Sequence, residues 1–253
     1  MSKNSGILVK TQVEIKKMAE GGSKLAEIKS KLKKAVKVGV NAADIEKLAT
    51  KLIEKSGGVS SFKMVPGYKW STCININEGV VHGIPRPEVV FREGDLVSVD
   101  VGLYYKGFHT DTSFSIGLSG EEETSKFLGA GRAALRKAVR EVRPGKRIYD
   151  ISSVIENTLE ENNLSPIKAL VGHGIGRALH EEPQIPCFVS GERAQSPEIS
   201  LGAVLAIEVM YSRGRGDVVM EADGWTISTG DGKIAALFEE TVATTKEGPL
   251  VLT

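Results

Sequence analysis

The chain has 253 residues, a formal net charge of +1, 41% hydrophobic residues and 26% charged residues, which suits a soluble globular protein with ample core and gives no electrostatic bias toward nucleic acid or membrane. Its two cysteines, Cys73 and Cys187, make no disulfide framework, so a reducing compartment is expected. The opening stretch MSKNSGILVK lacks the apolar centre of a signal peptide and no apolar run reaches membrane-spanning length, so the expectation is a cytosolic protein.

Helical periodicity comes first. Over about 11–38, Val13, Met18, Leu25, Ile28, Leu32 and Val36 fall on one side among Lys and Glu, and Gly39 breaks the pattern. The lysines gathered here, Lys31, Lys33, Lys34 and Lys37, read as a solvated face. Asn41 can cap a second helix over about 42–55, with Asp44 as a capping-box-like partner and Gly57-Gly58 as its end. Pro66-Gly67 then marks a turn, and Ile74 and Ile76 alternate with Asn75 and Asn77 as in a strand.

The stretch GDLVSVDVGLYYKGFHTDTS, 94–113, reads as a hairpin. Val97, Val99, Val101 and Leu103 alternate with Ser98, Asp100 and Gly102, and a turn signal sits at Tyr105-Lys106-Gly107. A two-residue loop at Tyr105-Lys106 would set Asp100 directly opposite Asp111; a loop at Lys106-Gly107 would make them diagonal neighbours. Either register puts both carboxylates on one face. Two adjacent like charges need a reason: a shared proton, a cation between them, or a solvated edge.

A long helix is expected over about 121–143, with Phe127, Leu128, Ala134, Leu135 and Val139 apolar, ending at Pro144-Gly145. Another follows over about 149–163, with Ile151, Val154, Ile155 and Leu159 at helical spacing. The order of elements repeats: Leu32-Lys33-Lys34-Ala35-Val36 is echoed by Leu135-Arg136-Lys137-Ala138-Val139, and after each helix pair the chain turns to strands. This suggests one catalytic domain over 1–253 made of two similar halves, roughly 1–118 and 119–253, sharing one core and one site. In the second half, GHGIGRALHEEPQIP at 172–186 is kept out of helix at its end by Pro183 and Pro186. Strands are expected over 204–210 and 235–243.

Those last two strands carry Glu208 and Glu239 among apolar neighbours, and a buried carboxylate without a partner is costly. A salt bridge would explain either one alone. Together with the hairpin aspartates, and with His82 and His173 in the glycine frames VHGIP and GHGIG, they suit a shared metal site better. Four carboxylates and one imidazole match a two-cation centre able to activate water and polarise a carbonyl.

The ordered set VVHGIP, SVDVG, GFHTDTS, GHGIGRALHEEP, AIEV, DGWT and FEET resembles the type I methionine aminopeptidases of the pita-bread metallopeptidase superfamily, over nearly the whole chain. The resemblance implies an α+β fold with two pseudo-symmetric halves, a curved, mostly antiparallel sheet and helices on the outer face. It implies two divalent metal ions (cobalt, manganese, iron or zinc) held by Asp100, Asp111, His173, Glu208 and Glu239. Asp111 and Glu239 would bridge both ions, Asp100 would bind one, and His173 with Glu208 the other. Glu208 would also shuttle a proton. His180 would contact substrate and steady the tetrahedral intermediate, and His82 would lie at the substrate amide. His109 matches no ligand.

Tyr68, Cys73 and Trp225 fit the family's substrate pocket, whereas Val65 and Leu179 stand where aromatic residues are common. Val209 replaces a frequent Pro after the third acidic ligand. Glu240 replaces a frequent His after the last, which sets an extra negative charge beside the centre. The implied reaction removes the N-terminal methionine of nascent proteins when the next residue is small. A monomer working near the ribosome is implied too, with no membrane and no specific nucleic acid partner. The rivals are an Xaa-Pro peptidase of the same superfamily, which usually carries a large extra N-terminal domain, and a non-catalytic binding module on this fold, whose mark is lost ligands.

Overall fold

The computed structural model describes residues 6–253. The expectation drawn from MSKNSGILVK falls partly on residues 1–5 and to that extent lies outside the described residues. In chain order the first part runs α1 (Gln12–Ala35), α2 (Ala42–Ser56), β1 (Val59–Ser60), β2 (Thr72–Ile76), β3 (Gly79–Val81), β4 (Leu96–Tyr105) and β5 (Phe108–Gly117). It continues with α3 (Glu122–Glu141), α4 (Ile148–Glu160), β6 (Ser165–Pro166), β7 (Val171–Gly174) and β8 (Glu181–Pro186). The last strands are β9 (Val204–Ser212), β10 (Val218–Met220), β11 (Ile227–Thr229), β12 (Ala235–Thr245) and β13 (Gly248–Val251).

Each helix forms where the apolar spacing places it, and its ends differ from expectation by no more than three residues. Thr11 caps α1 reciprocally with Glu14 in a capping box. Asn41 caps α2 by accepting from the Asp44 N–H at 2.9 Å, but the Asp44 carboxylate takes the Asn41 side-chain amide instead of its backbone, so the reciprocal box does not close. In α1, Met18, Leu25, Ile28 and Leu32 are buried along with Val36 just beyond it, and lysines 31, 33, 34 and 37 are exposed as expected. Val13 is the exception: it is 66% exposed, because at 3.6 residues per turn it lies about 120° around the helix from Leu25 and so falls off the buried stripe.

Ten strands make one antiparallel sheet in the order β1-β4-β5-β12-β9-β7-β8, with β2 on β4, β13 on β12 and β6 on β9. A smaller sheet runs β10-β11-β3. The β4–β5 turn is Lys106-Gly107, with φ of 49° and 90°, the left-handed pair that a tight two-residue hairpin requires. That register pairs Asp100 with Ser113 and Gly102 with Asp111, so the two aspartates are diagonal neighbours on one face.

The helices cover one face of the sheet and the acidic residues point from the other. Strand alternation enforces this division. Tyr211 on β9 faces α3 and donates to the Phe127 carbonyl at 2.8 Å, while Glu208 and Met210 face away. α1 lies so close that a Cβ at Gly22 would sit 2.2 Å from the Leu252 carbonyl oxygen. The apolar core fills the space between helices and sheet. One body lies beneath α1 and α2 (Leu25, Ile45, Ile53, Val99, Val101) and one beneath α3 and α4 (Leu128, Ile151, Ile155, Leu205, Tyr211).

Candidate metal centre

Adjacent strands bring the acidic residues together. β9 and β12 pair Glu208 directly with Glu239, and β12 and β5 pair Glu239 with Ser113, which itself faces Asp100 on β4. β7 joins β9 with His173 opposite Ala206, two residues from Glu208 on the same face. One ligand atom each from Asp111, His173 and Glu239 falls within 4.8 Å of the others. Glu208 Oε1 lies 3.5 Å from His173 Nε2. Asp100 flanks Asp111 as its diagonal neighbour across the hairpin.

The electrostatics are unfavourable for bare protein. Burial pushes the Asp100 carboxyl up to about 7, against the opposing hydrogen bonds of Asp111 and the Val101 backbone. Burial, reinforced by the neighbouring carboxylates, raises Asp111, Glu208 and Glu239 well above the ordinary range. Asp100 Oδ1 and Glu239 Oε1 are buried without a hydrogen-bond partner. His173 donates from Nδ1 to the Gly174 carbonyl at 2.8 Å, and burial holds it neutral, down to about 3. Its Nε2 lone pair is therefore free and aimed at the carboxylates. Orphaned acidic oxygens and an oriented neutral imidazole are a donor set that divalent cations fit.

A cavity of about 490 Å³ reaches His173 and Glu208 at the side of the cluster, lined also by His82, His180, Leu170, Gln184 and Met210. The His180 ring meets that of His173 edge-on at 4.4 Å. His82 sits at a φ of 57°, held by Gly83, whose N–H donates to Asn75 Oδ1 at 3.0 Å and whose missing Cβ lets the chain cross β2. Burial lowers the imidazole pKa of both His82 and His180. His109 stands apart. It is buried against Tyr104, its Nδ1 is 2.9 Å from Ser61 Oγ, and burial lowers it to about 4.

Beside the acidic cluster, Cys73 pairs across from Asp100, and the Tyr68 hydroxyl donates to the Thr72 carbonyl at 2.9 Å and lies 3.2 Å from Cys73 Sγ. Tyr68 also packs edge-on against Trp225, ring centres 5.1 Å apart. Leu179 is buried in the same apolar group, and Val65 packs against it half-buried.

Two features escape the sequence. Glu240 points away from the centre: alternation turns it to the helix face, where Lys29 Nζ lies 2.9 Å from both of its oxygens. The extra negative charge expected beside the centre is thus held in an ion pair on the opposite face, though it still adds to the upward push on the Glu239 carboxyl, behind burial, Asp111, Glu208 and Asp100. The loop before β8 that carries His180 is fastened by a buried ion pair, Lys10 Nζ to Glu181 Oε2 at 2.5 Å, with Lys10 Nζ also donating to the Leu8 carbonyl. No spacing signal marks either lysine, because each partner is remote in the chain.

The fold and this arrangement define a metallopeptidase, and the chain belongs to metallopeptidase family M24, which it matches over residues 16–246. Its fold is the mostly antiparallel pita-bread fold of that family, as expected. It is 40% identical to the methionine aminopeptidase of Aquifex aeolicus over 96% of this chain and 97% of that one. The crystal structure of methionine aminopeptidase from Thermotoga maritima superposes with a TM-score of 0.94 at 39% identity, covering 98% and 99% of the two chains. The Xaa-Pro dipeptidase of Bacillus anthracis shares the fold alone, at 20% identity and a TM-score of 0.74, with 62% of its chain covered. Among the described residues no helix is long and apolar enough to cross a membrane.

Proposed function

We propose that this protein is a metal-dependent aminopeptidase that removes the N-terminal methionine from peptides and nascent chains when the second residue is small. The observation that carries the substrate assignment is the near-full-length likeness to methionine aminopeptidases. The five candidate ligands are Asp100, Asp111, His173, Glu208 and Glu239, and they would hold two divalent cations drawn from cobalt, manganese, iron and zinc. When bound, such a pair supplies Lewis-acid polarisation of the scissile carbonyl and an acidified water.

The chain's own residues do the rest. Glu208, buried with its carboxyl held high, can take a proton and hand it to the departing amine. His180 and His82, facing the same cavity with neutral rings, can hydrogen-bond the substrate backbone and hold its first amide in line. Tyr68, Cys73, Trp225 and Leu179 belong to one apolar, sulfur- and ring-bearing cluster whose chemistry would suit a thioether side chain. We read the chain as one catalytic domain of two similar halves, supported by the recurrence of two helices followed by long strands and by one sheet running through both. Cytosolic location, a monomeric state and work near the ribosome rest on the family resemblance.

The test is a kinetic panel on tripeptides varied at the first residue, run after chelation and after adding back manganese, cobalt, iron or zinc. Turnover of Met-Ala-Ser that disappears with chelator and returns with metal is expected. Turnover of Xaa-Pro peptides alone would transfer the assignment to that relative class. A metal-loaded protein inert on every N-terminal residue would make it a binding module.

A further inference from the structure

The strands bearing Asp111 and Glu239 meet along an unusually short seam. β4 and β5 pair from Leu96 to Tyr105, and β12 and β9 pair from Ala235 to Ala243. β5 and β12 pair only at Glu239 with Ser113 and Glu240 with Thr112. Beyond those two positions hydroxyl groups replace the backbone ladder. The Leu237 N–H donates to Ser115 Oγ at 3.0 Å, and that hydroxyl donates to the Leu237 carbonyl at 2.8 Å. The Asp111 N–H donates to Thr241 Oγ1 at 2.9 Å, and Thr241 Oγ1 donates back to the Asp111 carbonyl at 2.8 Å. The gap between the two carboxylates is thus set largely by side chains.

One ammonium spans the reverse face of this seam. Lys29 Nζ from α1 lies 2.9 Å from both oxygens of Glu240 on β12 and donates at 2.9 Å to Thr112 Oγ1 on β5. Thr112 Oγ1 in turn donates to the Glu239 carbonyl at 2.8 Å, and Thr253 Oγ1 donates to Glu240 at 2.9 Å. The Lys29 and Glu240 side chains are only 18% and 24% exposed. A solvated pair would wander; these charge-assisted bonds are partly desolvated and directional. Glu240 neighbours Glu239, and Thr112 neighbours Asp111.

We propose that Lys29 is a positioning residue: by gripping Glu240 and Thr112 from behind, it fixes the spacing of Asp111 and Glu239 across the seam. This rests on the reading of those two residues as shared metal ligands. A site of this kind tolerates displacements of only about half an ångström, so loosening the seam weakens the bridging pair first.

Charge and position predict opposite signs, which makes the proposal testable. Removing a positive charge near a cation site should tighten cation binding by simple electrostatics. Removing a brace should weaken it. Manganese is titrated calorimetrically into chelator-stripped wild type, Lys29→Met, Lys29→Arg and Thr112→Val, and the metal-free melting temperatures are recorded alongside. Two binding events are expected in wild type. In Lys29→Met the weaker event should lose about tenfold to a hundredfold in affinity. Lys29→Arg should recover most of that, and Thr112→Val, which changes no charge, should weaken the same event even if Lys29→Met fails to fold. Unchanged or tighter binding in Lys29→Met and Thr112→Val would overturn the proposal, as would a lower melting temperature with affinities intact. Fewer than two events in wild type would overturn the shared-ligand reading itself and this inference with it.

Discussion

Glu208 and Glu239 stand directly opposite one another across the β9–β12 ladder, on the face away from the helices, and among the described residues neither is paired with a lysine or arginine. Like charges opposed in a sheet are destabilising, and here Asp111 and Asp100 crowd the same place. The arrangement makes physical sense as a vessel for cations. Added manganese should therefore stabilise the chelated protein. At about a hundred times its dissociation constant the gain is about 2.7 kcal/mol, or about 5–10 °C in Tm for a chain of this size. Asp111→Asn should abolish the increment, measured by differential scanning calorimetry; a full increment in that variant would remove Asp111 from the ligand set.

The metal-free protein should also show an inverted carboxylate pH dependence. Asp100 titrates near 7 in the folded state and near 3.8 in the unfolded chain. The folded state therefore holds the extra proton between those values, and Asp100's contribution to stability falls as pH rises through that window. The buried histidines pull the other way: His173 and His109, lowered to about 3 and about 4, favour the folded state as pH rises toward 6.5. Comparing Asp100→Asn with wild type in chelator isolates the aspartate. The variant's relative stability should climb from pH 4 to pH 7, as read by denaturant unfolding. A flat difference would mean that Asp100 is not held protonated.

His180 shares the cavity with His173, its ring edge-on to it at 4.4 Å, and on the proposed reading it serves the substrate and not the cations. His180→Ala should lower kcat about a hundredfold while leaving metal stoichiometry unchanged. A loss of metal, measured by elemental analysis, would assign it to the ligands instead.

Lys10→Met strands the Glu181 carboxylate in a buried site, where the paired side chains are 2% and 3% exposed. Breaking such a pair costs about 3–5 kcal/mol. Replacing both members, Lys10→Met with Glu181→Gln, should restore part of that in urea unfolding. Equal losses in the single and double variants would show that the cost is packing and not stranded charge.

Much of this was legible in the sequence because periodicity reports on faces. Alternation around Asp100 and Asp111 put both carboxylates on one side of a hairpin, and the structure selects the Lys106-Gly107 register from the two that the residues allowed. Strand-like apolar runs flagged Glu208 and Glu239, and the glycine frames flagged His82 and His173. What periodicity cannot carry is a partner from a distant element. Glu240 reads as a second acid beside a ligand until alternation and Lys29, 211 residues away, show it facing the helices. Lys10 and Glu181 are 171 residues apart, and neither position betrays the other. Val13 groups with the apolar face by residue type but sits about 120° around the helix from Leu25, and it is 66% exposed.

The central claim is that Asp100, Asp111, His173, Glu208 and Glu239 hold two divalent cations in one place. Anomalous diffraction at the manganese edge, on crystals soaked in manganese, tests it directly. Two peaks about 3.5–4 Å apart, within bonding distance of those five side chains, are predicted. Peaks elsewhere, or a cluster that stays empty of metal at saturating manganese, would contradict it.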